Sequence, residues 1–404
     1  MANVSSSNGL EKYPKLRFPG FNEPWRATAF GDLVHEFSER TKEEDEDTLL
    51  SAAIEGMFLN TELFGHQRGA SNKGYKKIKY GTMVLSTQNL HLGNANINQR
   101  FEHGMVSPAY KTYDITGCSL DLMAQWIKSE AAKRFFYNAT TVGASVCRRN
   151  VEWDTLYEQP LYLPRLDEQE KIAKFLALLS DRINKQQQLV SSLKKYKRGV
   201  IQHIFHQAAA KEEGNWTRVQ LGDIFKKVSR RNTNGFVKNV ITNSAEYGLI
   251  PQRDFFDKDI AVDGNTANYY VIEEGDFVYN PRKSNTAPYG PFNRYTLSER
   301  GIISPLYTCL VLKADINPSY LAWYFRSDAW HRYIYDNGSQ GVRHDRVSMT
   351  DDLLMGIPVM FPNHSKQLFY ANMLDKIEVR LQTAQKELTL LTSMKDGYVQ
   401  QLFI

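Results

Sequence analysis

The sequence predicts a mixed α/β (α+β) protein in which two long helices, paired as an antiparallel coiled coil, join two globular domains. Three observations predict this fold class. The second half of the chain repeats the first, both halves alternate strand-like and helix-like segments, and each half ends in a long heptad-patterned helix. The 404 residues suffice for two or three domains of roughly 100 to 200 residues. The duplication implies approximate two-fold symmetry.

The internal repeat consists of collinear blocks whose offset drifts from 191 to 198 residues. So many blocks in the same order are hard to obtain by chance. The matching blocks are WRATAFGDL (25–33) with WTRVQLGDI (216–224), Ser38 and Arg40 with Ser229 and Arg231, YKKIKYGTMV (75–84) with YYVIEEGDFV (269–278), GMVSPAY (104–110) with GIISPLY (301–307), AQWIKS (124–129) with AWYFRS (322–327), Gly143 to Arg148 with Gly341 to Arg346, and Pro160 and Pro164 with Pro358 and Pro362. We interpret the chain as one structural plan used twice.

Each repeat is predicted to fold as a globular domain followed by a long helix. Alternating β-rich runs such as TMVLST (82–87) and GDFVYN (275–280) are typical of strands. The segments 122–139 and 319–336 have the apolar spacing of helices. The predicted boundaries are 1–160 for the first globular domain, 161–207 for the first helical region, 208–358 for the second globular domain and 359–404 for the second helical region.

The two long helices share one heptad register, which predicts that they pair. Gln186 and Lys197 interrupt the apolar ladder of the first helix. The pairing positions are Ile172, Leu176, Leu179, Ile183, Val190 and Leu193 in the first helix, and Leu374, Ile377, Leu381, Leu388 and Leu391 in the second. A helix of this kind, about 50 Å long, cannot bury its apolar stripe alone. Antiparallel pairing within the chain is expected; the alternative is that each helix folds back onto its own domain.

Composition excludes several classes of function. The net charge of +5 and a pI near 8.8 tolerate a polyanionic ligand without requiring one. Cys118, Cys147 and Cys309 have no metal-ligand spacing, so no metal site is predicted. The sequence lacks a Walker phosphate loop, GxGxxG after a strand and HExxH, so no catalytic residues and no cofactor are predicted in this chain. No apolar run is long enough to span a membrane and the first residues are polar, so we expect an intracellular, cytoplasmic protein.

Two similar but non-identical domains suit a long, nearly two-fold ligand such as duplex DNA. The run LPRLDEQEKIAKFLALLSDRI (163–183), followed by LKKYKRGVIQHIF (193–205), the two domain openings and the paired SP-containing segments carry a more specific signal. With these features the chain resembles, over essentially its whole length, the specificity subunit of type I restriction-modification systems. The second copy, FPNHSKQLFYANML (361–374), keeps Pro362 and Gln367 but lacks the acidic pair.

The resemblance implies a bacterial defence protein without chemistry of its own. Each globular domain would be a target-recognition domain that reads one half of a bipartite DNA site, and the coiled coil would set the spacing. Two methylation subunits would supply methylation with S-adenosylmethionine, and restriction subunits would supply cleavage with ATP and Mg²⁺. The alternative is a non-catalytic two-headed adaptor between proteins.

Residues that form paired hydrogen bonds with base edges are the candidates for DNA contact. They fall in polar loops, for which ordinary solvation is the alternative explanation. In the first domain they are Gln67, Arg68, Asn72, Lys73, Thr87, Gln88, Asn89, Thr141, Ser145, Arg148 and Arg149; in the second they are Arg282, Lys283, Ser284, Asn285, Arg294, Ser339, Gln340, Arg343, His344 and Arg346. The acidic run KEEDED (42–47) should point away from phosphate.

Overall fold

The computed structural model describes residues 11–66, 71–145, 148–208, 215–254, 266–338 and 345–404. The chain divides into two compact units: unit 1 is Met1–Gln187 with Lys386–Ile404, and unit 2 is Gln188–Gln385. Both units combine helices with antiparallel strands, which confirms the predicted mixed α/β fold class. Among the described helices, none is long and apolar enough to cross a membrane.

Unit 1 is built from short antiparallel strands and short helices. Its strands are β1 (Glu11–Lys12), β2 (Trp25–Ala29), β3 (Val34–Phe37), β4 (Leu50–Ala53), β5 (Gly56–Leu59), β6 (Lys76–Lys79), β7 (Met83–Ser86), β8 (Ala95–Ile97), β9 (His103–Val106), β10 (Tyr110–Ile115), β11 (Thr140–Ser145), β12 (Arg148–Val151) and β13 (Pro160–Leu163). Its helices are α1 (Phe30–Leu33), α2 (Asn60–Phe64), α3 (Leu120–Trp126), α4 (Glu130–Asn138), α5 (Trp153–Glu158) and the first part of α6 (Leu166–Gln202), with a 3₁₀ turn at Leu90–Leu92. Ser119 and Ser129 begin α3 and α4 by accepting backbone N–H bonds, as N-cap serines do.

Unit 2 contains the remainder of α6, a π-helical turn at His203–Ala208 and a second set of the same elements. Its strands are β14 (Thr217–Gln220), β15 (Phe225–Val228), β16 (Ile241–Ser244), β17 (Gly248–Pro251), β18 (Tyr270–Ile272), β19 (Phe277–Tyr279), β20 (Phe292–Arg294), β21 (Gly301–Ile303), β22 (Thr308–Leu312) and β23 (Pro358–Phe361). Its helices are α7 (Leu221–Ile224), α8 (Pro318–Phe325), α9 (His331–Asn337), α10 (Asp351–Met355) and the first part of α11 (His364–Leu402), with a 3₁₀ turn at Gln252–Asp254.

The sheets of the two units follow one plan. The four-stranded sheet of unit 1 has the order β3-β10-β7-β8, and that of unit 2 has the order β15-β22-β19-β20. The hairpins β4-β5 and β16-β17 also correspond, as do the pairs β6-β9 and β18-β21. Because matched strands come from matched blocks of sequence, the sheet plan is duplicated along with the sequence.

The glycine shared by the two domain openings permits a close helix contact in each unit. A Cβ atom on Gly31 would lie 3.0 Å from the Cβ of Tyr157, and one on Gly222 would lie 3.3 Å from the Cβ of Met355. These distances are shorter than ordinary van der Waals contact. Glycine therefore lets α1 pack directly on α5, and α7 on α10.

Each unit has its own aromatic core. In unit 1, Trp25, Phe30 and Phe136 are fully buried together. In unit 2 the rings of Phe292 and Phe325 stack with centroids 4.0 Å apart and are covered by other aromatic side chains. Aromatic pairs of this kind add roughly 0.5–1.5 kcal/mol beyond the burial of their surface.

Segments of α6 and α11 pack side by side in each unit, in antiparallel directions. In unit 1, Phe175 contacts Tyr398 with ring centroids 5.2 Å apart, whereas the later residue Arg182 pairs with the earlier residue Glu387 at 2.7 Å. In unit 2, Lys197 pairs with Glu378 at 2.8 Å. The heptad positions of both helices are buried or half-buried: Ile172, Leu176, Leu179, Ile183, Val190, Leu193, Leu374, Ile377, Leu381, Leu388 and Leu391. These positions are thus at least partly shielded from solvent within the chain itself.

A buried glutamine near the start of each long helix anchors it to the rest of its unit. Gln169 accepts a hydrogen bond from the Ser119 N–H at 2.7 Å and donates to the Pro164 carbonyl at 2.9 Å. In unit 2, Gln367 accepts from the Asn317 N–H and donates to the Pro362 carbonyl. This shared anchoring explains why the glutamine and proline occur in both helical regions.

Candidate nucleic-acid interface

Two candidate stretches of unit 2, residues 281–283 and 345–347, lie side by side. We call the surface that they form the edge of unit 2. The Lys283 N–H donates to the Asp345 carbonyl at 2.9 Å, and the Val347 N–H donates to the Pro281 carbonyl at 2.9 Å. Arg282 and Arg346 form an isolated β-bridge between these segments. The segment after β19 and the end of the loop after α9 therefore form one surface, although about sixty residues of sequence separate them.

Two arginines at this edge share one carboxylate. The Nε atoms of Arg282 and Arg346 lie 3.7 and 3.9 Å from Oδ2 of Asp345, and the Arg282 side chain is 66% exposed. Burial raises the pKa of the neighbouring Tyr307 phenol, while the charges of Arg282 and Arg346 oppose that rise. The edge therefore combines an exposed cation with a neutral phenol, both able to donate hydrogen bonds to bases or phosphates.

A groove of about 490 Å³ adjoins the same edge of unit 2. Its walls include Lys283, Ser284, Asn285 and the exposed Tyr335. Ser284 is partly committed to structure, because its hydroxyl accepts a hydrogen bond from the Ala287 N–H at 3.1 Å. Asn285, which also lines the groove, is exposed.

Arg294 does not join Arg282 in this cluster, contrary to its grouping on sequence. Its Nη1 donates to the Ser319 hydroxyl at 3.3 Å, and its Nε is buried. The side chain lines a separate cleft of unit 2, beside Arg326. Its position on β20, facing α8, removes it from the edge that carries Arg282.

The corresponding edge of unit 1 follows β7. Gln88 and Asn89 are exposed there, and the Thr87 hydroxyl donates to the Ala109 carbonyl at 2.8 Å. The β11-β12 hairpin lies nearby: burial lowers the pKa of His91, and the charge of Arg149 lowers it further. His91, in the 3₁₀ turn after β7, and Arg149, on β12, are therefore close enough for their charges to interact.

Hydrogen bonds within the hairpin restrain two candidate side chains of unit 1. Arg149 donates from Nε and Nη2 to the hydroxyl and carbonyl of Thr140, both at 2.7 Å, and its guanidinium lies 4.2 Å from the Tyr137 ring centroid. The Thr141 hydroxyl donates to Glu152 at 2.8 Å. Arg149 can still offer its three remaining N–H groups to phosphate, but the bonds to Thr140 fix the orientation of the guanidinium.

Asn72 is a structural residue, which corrects its assignment as a base reader. It is 3% exposed, its Oδ1 accepts from the Asp45 N–H at 2.8 Å, and its Nδ2 donates to the Asp45 carboxylate at 2.6 Å. Glu44 accepts hydrogen bonds from Ser71 and the Asn72 N–H, which lower the pKa of the Glu44 carboxyl. The acidic run 42–47 therefore packs on the loop that holds Lys73 and offsets its positive charge. This loop is poorly suited to phosphate contact.

One solved type I restriction-modification S subunit, from M. genitalium, aligns with 97% of this chain and 99% of its own, at a TM-score of 0.54 and 14% identity. A chain from a study of complex assembly and conformational transition of the type I R-M system aligns with 96% of this chain and 99% of its own, at a TM-score of 0.55 and 15% identity. The chain has the fold of a type I restriction-modification S subunit. No family model matches its sequence, and no curated protein is significantly similar to it.

Several candidates fall where the structure gives no side-chain description. Ser145 and Arg148 pair across the β11-β12 hairpin by their backbones. Gln67, Arg68, Ser339, Gln340, Arg343 and His344 lie outside the described residues. Within the described ranges, no group of three or more His, Cys, Asp or Glu side chains could hold a metal ion.

Sequence reasoning missed four residues that shape the two edges. Asp345 and Tyr307 accompany the arginines of unit 2, and Ser86 and Asn280 hold the backbone after β7 and β19. Ser86 and Asn280 occupy the same position of the repeat, two residues after the matched strand blocks end at 84 and 278. That shared position was the available signal, but a serine and an asparagine do not align by residue identity.

Proposed function

We propose that this chain is the DNA sequence-specificity subunit of a type I restriction-modification complex. Each unit supplies one target-recognition domain for one half of a bipartite site, and the paired helices set the distance between the half-sites. The observation that carries the proposal is the pair of edges after β7 and β19, which have matching backbone supports but different exposed polar side chains. A constant scaffold with variable side chains is what two related readers of different sequences require.

The partner subunits would supply the chemistry. Methylation subunits, two per complex, would use S-adenosylmethionine, and restriction subunits would use ATP and Mg²⁺. This chain would direct them without being an enzyme itself. Their docking surface is distinct from the edges described above, since those edges would be occupied by DNA.

The competing proposal is a protein–protein adaptor whose two units bind protein partners. The exposed Arg282 and Gln88 do not fit that role well, because they lie on polar edges rather than in an apolar patch. Stable protein interfaces usually bury an apolar or aromatic centre. Salt dependence of DNA binding separates the two proposals.

DNA affinity of the full chain, co-purified with its methylation subunits, is expected to fall about a hundredfold or more between 50 and 200 mM salt. Such a fall corresponds to about four or more neutralised phosphates. Fluorescence anisotropy of a labelled duplex measures it. Replacing Arg282 and Arg346 together by alanine should make the slope shallower, whereas Arg300→Ala, which removes an arginine as exposed as Arg282 and paired with Glu273, should not. Salt-independent binding would favour the adaptor, whereas steep but identical slopes for all three proteins would show that Arg282 and Arg346 do not contact phosphate.

A further inference from the structure

In each unit, the turn after a strand of the four-stranded sheet holds one exposed residue by similar backbone hydrogen bonds. This presented residue is Gln88 in unit 1 and Arg282 in unit 2, and we call the turn that holds it the scaffold. In unit 1, Ser86 ends β7, and its hydroxyl accepts the N–H of Gln88, two residues on, at 3.4 Å. In unit 2, Asn280 follows β19, and its Oδ1 accepts the N–H of Arg282, again two residues on, at 2.9 Å. Both supporting side chains are 6% exposed. Their burial fixes where the backbone of the presented residue lies.

The neighbouring strand supports the scaffold in the same way in both units. The Ser86 N–H donates to the Asn94 carbonyl at 3.1 Å, and the Asn280 N–H donates to the Pro291 carbonyl at 2.9 Å. A second matched turn precedes β10 and β22, where the hydroxyls of Ser107 and Ser304 accept the N–H two residues further on. Three matched hydrogen bonds therefore hold these turns in each unit, and none of them uses the side chain of Gln88 or Arg282.

The side chain is therefore the part of this scaffold that differs between the units. Gln88 and Arg282 are both exposed. The guanidinium of Arg282 is closest to Asp345 at its Nε, which lies 3.7 Å from the Oδ2 atom. An arginine supported at Nε offers paired donors from one face, which is the arrangement needed for bidentate hydrogen bonds.

These two side chains have different base preferences. Arginine forms its best bidentate pair with O6 and N7 of guanine, where both base atoms are acceptors. The glutamine amide, with one donor and one acceptor, matches N7 and N6 of adenine. The two acceptors of guanine, O6 and N7, cannot donate a hydrogen bond to the glutamine carbonyl. The amino group of adenine, a donor itself, repels an arginine donor.

We propose that Gln88 and Arg282 are equivalent specificity-determining residues: Gln88 selects an A·T pair in one half-site and Arg282 selects a G·C pair in the other. The assignment rests on the proposed DNA-recognition function and adds to it a rule for one base pair per half-site. Asp345 is a positioning residue for Arg282. At the matching position of the first repeat the sequence has Cys147 instead of a carboxylate, and the presented residue there, Gln88, is uncharged.

The experiment exchanges the two side chains in the full chain. The wild-type protein and the variants Arg282→Gln and Gln88→Arg, each co-purified with the methylation subunits, select binding sites from a random duplex library. In Arg282→Gln, one G·C pair in one half-site should become A·T. In Gln88→Arg, one A·T pair in the other half-site should become G·C. Each variant should bind the wild-type site roughly tenfold to hundredfold more weakly.

Arg300→Gln is the matched control, because Arg300 is 68% exposed and ion-paired with Glu273, as Arg282 is 66% exposed and paired with Asp345. The control should select the wild-type sites. Because the exchanged residues lie in different units, the inference can still be tested with one variant if the other misfolds. The inference would be overturned if a folded exchange variant still selected the wild-type motif. It would also be overturned if both variants changed the same half-site. Either result would leave the proposed function standing. A wild-type complex that selects no two-part motif would overturn the proposed function as well.

Discussion

Replacing Gly290 by alanine is expected to destabilise unit 2 by more than about 3 kcal/mol. Gly290 is buried with φ at +83°, and an added Cβ atom would overlap the carbonyl oxygen of Asn280. That oxygen belongs to backbone and cannot move without displacing the scaffold that presents Arg282. The left-handed conformation adds roughly 1–2 kcal/mol for any residue with a Cβ atom.

The repeat provides a matched control for this substitution. Gly93 occupies the position of Gly290 in unit 1, with φ at +90°, but an added Cβ atom would meet only the Lys133 side chain, at 3.8 Å. Gly93→Ala should therefore cost only the conformational term, about 1–2 kcal/mol. Hydrogen exchange read by mass spectrometry reports the opening of each unit separately. Equal increases in the amide exchange rate of the two variants would show that the overlap with the Asn280 carbonyl adds no destabilisation.

Leu176→Ala is expected to destabilise the helix pair of unit 1 by about 3 kcal/mol. The side chain is fully buried between α6 and the rest of the unit 1 core, which includes Leu402 and Phe403 near the end of α11. Truncating a buried leucine costs about 2–5 kcal/mol, because the cavity left behind closes only in part. Amide exchange in the paired segments of α6 and α11 should rise by roughly a hundredfold, since each 1.4 kcal/mol is tenfold.

Leu178→Ala, two residues away on the same helix, is the control. Leu178 is 62% exposed, so its truncation should change stability by no more than about 0.5 kcal/mol. The two substitutions have the same chemistry and nearly the same helical position. Similar exchange rates in both variants would contradict the assignment of Leu176 to the helix seam.

The sequence predicted the fold class because duplication and heptad spacing are periodic features, readable without knowing any contact. The anchoring by Gln169 and Gln367 was not predicted in detail, although both residues stood in the repeated motif. Each glutamine bonds a residue fifty positions earlier in the chain. Such a partner is fixed by tertiary packing, which spacing alone does not reveal.

The candidate DNA-binding residues were predicted less well, for a physical reason. Polarity and glycine content identify a loop, but they do not show whether its polar side chains are already hydrogen-bonded within the protein. Asn72 and Gln88 both carry a side-chain amide, yet the amide of Asn72 is hydrogen-bonded to Asp45 whereas Gln88 is exposed. Arg294 and Arg282 differ in the same way, because strand β20 directs one inward while the turn after β19 directs the other outward.

At these two edges, the repeats share some side-chain contacts with the backbone and differ at other positions. Positions whose contacts recur in both units, such as Ser86 with Asn280, form the scaffold. Positions that are exposed and chemically different, such as Gln88 with Arg282, are the ones that we propose to set the sequence that is read. A duplicated chain thus contains its own comparison structure, and the differences between its halves identify candidates for specificity.

The most direct test of the central claim is a map of methylated adenines in a host that carries the gene together with its methylation-subunit gene, compared with a host that lacks only this gene. The account predicts a new methylated motif made of two short defined sequences separated by a constant, undefined gap, present only when this chain is expressed. Methylation at the same sites in both hosts would contradict it.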